Sequence, residues 1–205
     1  IFMYKKTIFK NGLRVITISQ PDNMAATVLV MVEAGSKYEQ KEINGLSHFL
    51  EHMCFKGTSN RPTAMDIAGE LDGLGAEYNA FTSHEWTGYF AKVEKNHATK
   101  AVDLISDLYL NPIFDEKEIE KEKGVIIEEL NMYEDMPQRK IGDIFLHLLY
   151  GDQPAGWDVG GEKDVIRNLR KSHFLAYRQL HYLPSATIVV IAGAFNEVAV
   201  LAQLE

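Results

Sequence analysis

Two histidines and a glutamate crowd into the short stretch HFLEH, residues 48–52. In a helix, side chains four positions apart lie on the same face, so the imidazoles of His48 and His52 can both reach one metal ion. Glu51 lies beside them, close enough to act on a water molecule near that ion. The same stretch could equally be the solvated face of an ordinary amphipathic helix, and HFLEH alone does not distinguish the two.

The neighbouring residues predict the helix that presents HFLEH, over about residues 44–55. Apolar residues recur at helical spacing and form one core face: Leu46, Phe49, Leu50 and Met53. On the same helical wheel His48, Glu51 and His52 lie on the other side. Gly57 follows and is predicted to end the helix, since glycine readily adopts the left-handed conformation that often closes a last turn.

A second predicted helix, over about residues 115–135, offers carboxylates that could complete a metal site. Its apolar stripe consists of Ile119, Ile126, Leu130 and Tyr133. Glu122 and Glu129 lie together at the edge of that stripe, whereas Glu128 points away. A buried carboxylate is costly without a partner; a metal ion would remove that cost for Glu129, and a hydrogen bond to a ligand would do so for Glu122. Both could instead be boundary residues that reach water.

The two motifs together resemble those of the inverted-zincin peptidases, the pitrilysin, insulinase and mitochondrial processing peptidase family. Its signature is H-x-x-E-H followed about 76 residues later by a glutamate ligand, and here residues 53–128, 76 in number, separate His52 from Glu129. Further segments are similar to the family: GLSHFLEHMCFKGT, NAFTSHEWTGYFAKV and YGDQPAGWDVGG. The likeness extends from about residue 4 to the end of the sequence.

The resemblance implies a zinc metalloendopeptidase that hydrolyses peptides or unfolded segments. His48, His52 and Glu129 would hold one Zn²⁺ per chain and leave a position open for water. Glu51 would act as the general base and then pass the proton to the leaving amine. Glu122 matches a second acid of the family on the same helix and would hold a ligand in place.

A peptide substrate is expected to bind in an extended conformation along the strand around residues 79–82. The resemblance implies that Asn79 and Ala80 face the peptide main chain, and that Phe81 borders a side-chain pocket. From the residues alone, Phe81 could equally be an ordinary aromatic of the core. Asn79 favours a functional interpretation, because asparagine is disfavoured in the middle of strands.

The remaining elements predict an α+β fold with a mostly antiparallel sheet covered by helices, since strands and helices do not alternate regularly. Asn11-Gly12 predicts a type I′ hairpin turn, and residues 25–35 a strand in the middle of a covered sheet. Further strands are expected over residues 76–93 and 186–195, and helices over 61–75, 97–110, 137–149 and 163–181. With 205 residues, 46% of them hydrophobic, a single catalytic domain over 1–205 is expected.

Composition narrows the expected surroundings and partners. The formal net charge is −8 and the charges are interleaved, which argues against a nucleic-acid surface. The sequence contains no apolar run of 18 or more residues, so no membrane span is predicted. The first residues do not resemble a signal peptide. The single cysteine, Cys54, excludes an internal disulfide. A cytoplasmic protein is therefore expected.

Family members usually carry two related halves, and this chain resembles the N-terminal, catalytic half. The resemblance therefore implies a partner, either a second homologous half or subunit or a second copy of this chain. The activity of this chain alone stays open, and so does the alternative of a non-catalytic homologue within a peptidase complex. S-ribosylhomocysteine lyases also use H-x-x-E-H, but with a cysteine ligand, for which Cys54 is misplaced.

Overall fold

A six-stranded sheet forms the centre of the computed structural model, which describes residues 3–205. Its strands are β1 (Lys5–Ile8), β2 (Arg14–Ser19), β3 (Ala25–Val32), β4 (Glu77–Thr82), β5 (Thr87–Glu94) and β6 (Thr187–Gly193). They lie in the order β1-β2-β6-β3-β5-β4. β2 and β6 run parallel, and the other neighbouring strands pair antiparallel. The predicted mostly antiparallel sheet is confirmed.

Helices fill most of the remaining chain. They are α1 (Leu46–Cys54), α2 (Ala64–Gly73), α3 (Ala98–Leu110), α4 (Glu116–Glu134), α5 (Pro137–Tyr150), α6 (Lys163–Asn168), α7 (Lys171–His181) and α8 (Glu197–Leu204). The continuous helix predicted over residues 163–181 is wrong: Leu169 and Arg170 are extended and separate α6 from α7. Leu169 is completely buried at this break, so its packing outweighs local helix propensity. Within residues 3–205, no helix has the length and apolar character needed to cross a membrane.

The two faces of β3 differ in burial. Alternate residues of this strand, among them Val28, Val30 and Val32, join helix residues in one hydrophobic core. The opposite side chains, such as Leu29 and Met31, are only half-buried. The predicted position in the middle of the sheet is confirmed, but the described residues cover only one face of the strand fully.

The connection between β1 and β2 is longer than the predicted type I′ turn. Gly12 N donates to Phe9 O at 2.9 Å, and Phe9 N donates to Leu13 O at 2.9 Å. A type I′ turn requires positive φ at both Asn11 and Gly12, and of these two only Gly12 has it, at 90°. Asn11 Oδ1 instead accepts a hydrogen bond from Leu13 N, which stabilises the longer turn.

Gly57 does not itself end the helix of the HFLEH motif, as the sequence predicted. α1 ends at Cys54, and Phe55 N donates to His52 O at 3.1 Å to close the last turn. Gly57 lies beyond that turn with φ 144°, where a Cβ atom would come within 2.4 Å of Pro62 O. Glycine is therefore needed there for close approach of two backbone segments.

Candidate metal centre

Packing of α1 determines which of its side chains remain available for chemistry. Its apolar residues are at most 1% exposed and belong to the core: Leu46, Phe49, Leu50 and Met53. This packing leaves His48, Glu51 and His52 half-buried on the other side. The amphipathic helix that the sequence predicted is therefore observed.

Glu39 holds the beginning of α1. Its Oε2 accepts hydrogen bonds from Gly45 N at 2.7 Å and Asn44 Nδ2 at 3.0 Å, and its Oε1 accepts one from Ser47 N at 2.6 Å. Gly45 stands at the N-cap, where it has no side chain to satisfy the free N–H groups. Burial raises the pKa of Glu39, and these hydrogen bonds oppose that rise. No sequence pattern predicted a role for Glu39, because it lies before the helix.

Side chains of α1 and α4 converge at one point. The Nε2 atoms of His48 and His52 lie 3.2 Å apart. Glu129 Oε2 lies 3.7 Å from His48 Nε2 and 3.5 Å from His52 Nε2. Glu128 is exposed on another side of α4, where Asn131 Nδ2 lies 3.4 Å from its Oε2. The structure thus brings together the three residues that the sequence predicted as ligands.

The convergent atoms suit a zinc ion. Two imidazole nitrogens and a carboxylate oxygen, with ligand atoms within 4.8 Å of one another, are a common zinc ligand set that leaves a position for water. Glu122 Oε1 lies 2.9 Å from His52 Nδ1. A proton on that Nδ1 leaves the lone pair of His52 Nε2 directed at the other ligands. The donor set of the described residues therefore fits the metal.

Glu122 is a buried acid with two partners. Besides His52, it contacts Lys56, whose Nζ lies 2.7 Å from Glu122 Oε2. Burial alone would raise the pKa of Glu122, but the hydrogen bonds from His52 and Lys56 outweigh it and lower the pKa. Glu122 is thus held ionised beside a candidate ligand, where the sequence expected it. Lys56 was not predicted; it lies just beyond the end of α1, four residues after His52.

The surroundings shift the pKa values of the two histidines in opposite directions. Burial, followed by the charge of His52, lowers the pKa of His48 to about 4, so its imidazole is neutral at pH 7. Burial also acts to lower the pKa of His52, but the hydrogen bond to Glu122 and the nearby carboxylates raise it overall. For Glu51, burial raises the pKa and a hydrogen bond from Thr82 opposes that rise.

Tyr133 holds Glu129 in place. Its hydroxyl donates a hydrogen bond to Glu129 Oε1, which leaves Oε2 directed at the histidines. The guanidinium carbon of Arg139, on α5, lies 3.2 Å from the centroid of the Tyr133 ring. The sequence placed Tyr133 in the apolar stripe of this helix; it is half-buried instead, because its hydroxyl pairs with a carboxylate one turn earlier.

β4 is an edge strand beside α1. Ser83 N donates to Trp86 O at 2.9 Å, and from there backbone groups face β5 at every second residue. The N–H and C=O groups of Ala80 and Thr82 therefore face the free edge. Asn79 Oδ1 lies 2.9 Å from the Ala80 N–H nitrogen and accepts its hydrogen bond.

The side chains of β4 alternate between two faces. Ala80 is half-buried and packs against the core. Asn79 is exposed on the opposite face of the sheet. Phe81 is 37% exposed on that face and lies over Gly88, where a Cβ atom would come within 2.4 Å of the ring. The structure thus places Asn79 and Phe81 on the face of the sheet away from His48, His52 and Glu129.

Comparison with known proteins agrees with this fold and assigns the chain to a family. Residues 14–160 match the family described as insulinase, Peptidase family M16. YmxG of Bacillus subtilis, an uncharacterized zinc protease, is 37% identical over 195 residues, which are 95% of this chain and 47% of YmxG. The beta subunit of the mitochondrial-processing peptidase of Caenorhabditis elegans is 36% identical over 199 residues, 97% of this chain and 43% of the subunit. The chain belongs to the M16 family of peptidases, as the motifs predicted.

A solved structure extends the match to three dimensions. The crystal structure of a protease from Helicobacter pylori superposes with a TM-score of 0.92 at 26% sequence identity. The alignment covers 98% of this chain and 49% of that one. The chain thus spans about half the length of the relatives it matches.

Proposed function

We propose that this chain carries the active site of a zinc metalloendopeptidase that acts on peptides or extended polypeptide segments. The observation that supports this most directly is the convergence of His48, His52 and Glu129, with Glu51 on the same side of α1. Membership of a family whose relatives are named zinc proteases supports the choice of metal. His48, His52 and Glu129 would be the zinc ligands, and Glu51 would be the general base.

In this proposal the metal and the protein have separate roles in hydrolysis. Bound zinc would supply Lewis acidity, which polarises the scissile carbonyl and makes water more acidic. Glu51 would accept a proton from the attacking water as the new C–O bond forms, and would deliver it to the amide nitrogen as the C–N bond breaks. Glu122 would keep His52 in the tautomer that directs Nε2 to the metal.

The free edge of β4 is the proposed site for the substrate main chain. An extended peptide added there would pair with the outward backbone groups of Ala80 by β-augmentation. Asn79, whose side chain occupies the Ala80 N–H, would have to release it to the peptide. Phe81, on the outer face of the strand, would then contact a substrate side chain near that edge.

A second half or subunit is the proposed partner. On the outer face of the sheet, one row of paired residues crosses four strands and is half-buried and apolar throughout: Ile16, Val190, Leu29 and Phe90. α5 adds an exposed stripe, with Ile144 53% and Leu148 81% exposed. Apolar surfaces of this kind are typical of protein interfaces. Light scattering of the purified chain would show whether a second copy can take this role.

The proposal is tested by replacing the base without disturbing the metal. Glu51→Gln in the intact protein that contains this sequence should reduce cleavage of a quenched fluorescent peptide by at least roughly 100-fold, while the zinc content stays at that of the wild type. Glu128→Gln, which changes an exposed glutamate of α4, is the matched control and should leave cleavage unchanged. Full activity of Glu51→Gln would refute the proposed base, and a zinc-loaded wild type that cleaves nothing would indicate a non-catalytic homologue.

A further inference from the structure

Thr82, the last residue of β4, contacts the proposed catalytic base. Its hydroxyl Oγ1 lies 2.5 Å from Glu51 Oε2. Thr82 is half-buried and its side chain points towards α1, on the face opposite to Asn79 and Phe81. A strand at the substrate edge and a residue of the metal-binding helix are therefore joined by one short hydrogen bond.

The direction of this hydrogen bond follows from the protons available. Thr87 Oγ1, 3.5 Å from Thr82 Oγ1, donates its single proton to Ala34 O at 2.9 Å. Thr82 has one hydroxyl proton too, and the Glu51 carboxylate is both its nearer acceptor and the stronger one. Thr82 therefore donates to Glu51 Oε2 and leaves Oε1 free to take a proton from water.

The backbone of Thr82 adds a second link. Its N–H and C=O groups face the free edge of β4, the edge at which a substrate strand would pair. One residue thus presents its main chain to the peptide and its side chain to the base. Movement of the end of β4 relative to α1 would change the position of the Glu51 carboxylate relative to the peptide.

We propose that Thr82 is a positioning residue for Glu51, fixing the carboxylate relative to the strand that receives the substrate. This inference rests on the proposed peptidase function. Thr82 takes no part in proton transfer itself. Its hydroxyl restricts the rotation of the Glu51 side chain, so that the oxygen not bound to Thr82 stays directed at the reacting water.

Three substitutions separate the hydroxyl from the shape of the side chain. Thr82→Val keeps the volume and branching but removes the hydrogen bond, and Thr82→Ser keeps the hydroxyl but removes the methyl group. Thr27→Val is the matched control, because it makes the same change on β3, which β5 separates from β4. Zinc content, kcat and KM are measured for each variant in the intact protein.

Thr82→Val should lower kcat by roughly 10- to 100-fold, the loss typical for a hydrogen bond to a charged group. KM and zinc content should stay near those of the wild type, because the backbone of β4 and the metal ligands are unchanged. Thr82→Ser should retain activity within about threefold of the wild type if the hydroxyl is what counts. Equal activity of Thr82→Val and wild type, equal losses in Thr82→Val and Thr82→Ser, or loss of zinc in Thr82→Val would each overturn the inference.

A structural measurement separates this inference from the proposed function. Crystal structures of the zinc-loaded wild type and of Thr82→Val should differ in the position of the Glu51 carboxylate. If the wild type cleaves no peptide, the proposed function fails, and these structures still decide the role of Thr82. An identical Glu51 conformation in both proteins would overturn the inference, and a displaced or disordered carboxylate in Thr82→Val would support it.

Discussion

The two histidines of the candidate metal site differ in what holds their rings. His52 Nδ1 pairs with the buried Glu122, which Lys56 holds in turn. His48 Nδ1 is buried without a hydrogen-bond partner among residues 3–205. The ring of His52 is therefore oriented by a chain of charges, whereas that of His48 is oriented by packing and by its two convergent neighbours. Loss of Glu122 should consequently disturb the orientation of the His52 ring more than that of the His48 ring.

The assignment of the carboxylate ligand can be tested with adjacent residues. Glu129→Gln should weaken zinc binding by roughly 10- to 100-fold or more, because an amide is neutral and a poor zinc ligand. Glu128→Gln should leave the affinity unchanged, because Glu128 is exposed on another side of α4. Competition with a fluorescent zinc chelator measures both affinities. Weaker zinc binding by Glu128→Gln than by Glu129→Gln would contradict the assignment of Glu129 as the ligand.

Among the elements, a buried ionic network fixes the segment between α1 and α2 to α3. Asp107 is 3% exposed and its carboxylate accepts four hydrogen bonds, from Thr58, Asn60, Arg61 and Asn111. The Arg61 guanidinium also pairs with Glu70 and Asp103. Because this segment directly follows α1, the network helps to hold the C-terminal end of α1 against the core.

The network predicts a particular dependence of stability on pH. Burial acts to raise the pKa of Asp107, but the hydrogen bonds from Thr58, Asn111 and Arg61 outweigh it and lower the pKa below the ordinary 3.8. Folding therefore favours the ionised form. The stabilisation is complete above the unfolded pKa of about 3.9 and is lost as the pH falls through the lower folded pKa.

Asp107→Asn should remove that pH-dependent contribution. At pH 7 the variant should lose roughly 3 kcal/mol of unfolding free energy, because it breaks a buried ion pair, and the deficit should shrink below about pH 4. Urea unfolding from pH 2.5 to 7 measures this, with the exposed Asp22→Asn as control. A deficit that stays constant down to the lowest pH would show that Asp107 does not act through its charge.

Helical periodicity accounts for much of what the sequence could predict about these elements. It separated Glu129 from Glu128 and placed His48 and His52 opposite the core face of α1. Contacts between elements that are distant in sequence leave no periodic pattern in the sequence from which they could be predicted. Thr82 meets Glu51 only because β4 lies at the sheet edge beside α1. The hairpin around Asn11-Gly12 is present, but its turn type was predicted wrongly for a local reason, since the side chain of Asn11 stabilises a longer turn.

For the whole molecule, the proposed metal would join two elements that are distant in sequence. His48 and His52 lie on α1, and Glu129 lies on α4, with 76 residues, 53–128, between His52 and Glu129. A ligand that binds only the folded state stabilises it by mass action. Zinc should therefore stabilise the complete fold and not only the local site.

Zinc should raise the thermal midpoint of the chain. At a free zinc concentration of about 100 times the Kd, the gain is about 2.7 kcal/mol, which corresponds to roughly 5–10 °C for a chain of this size. His48→Ala should lose this shift. Scanning calorimetry with a buffered zinc supply, compared with a chelator, measures it, and an equal shift in His48→Ala would place the stabilising metal elsewhere.

Anomalous X-ray diffraction at the zinc absorption edge would show directly whether His48, His52 and Glu129 form the proposed zinc site. The crystals should come from protein purified without chelators. We expect one strong anomalous peak per chain, about 2.0–2.2 Å from His48 Nε2, His52 Nε2 and a carboxylate oxygen of Glu129. A zinc peak bound by other residues, or an active protein with no zinc at this position, would contradict the proposed zinc site.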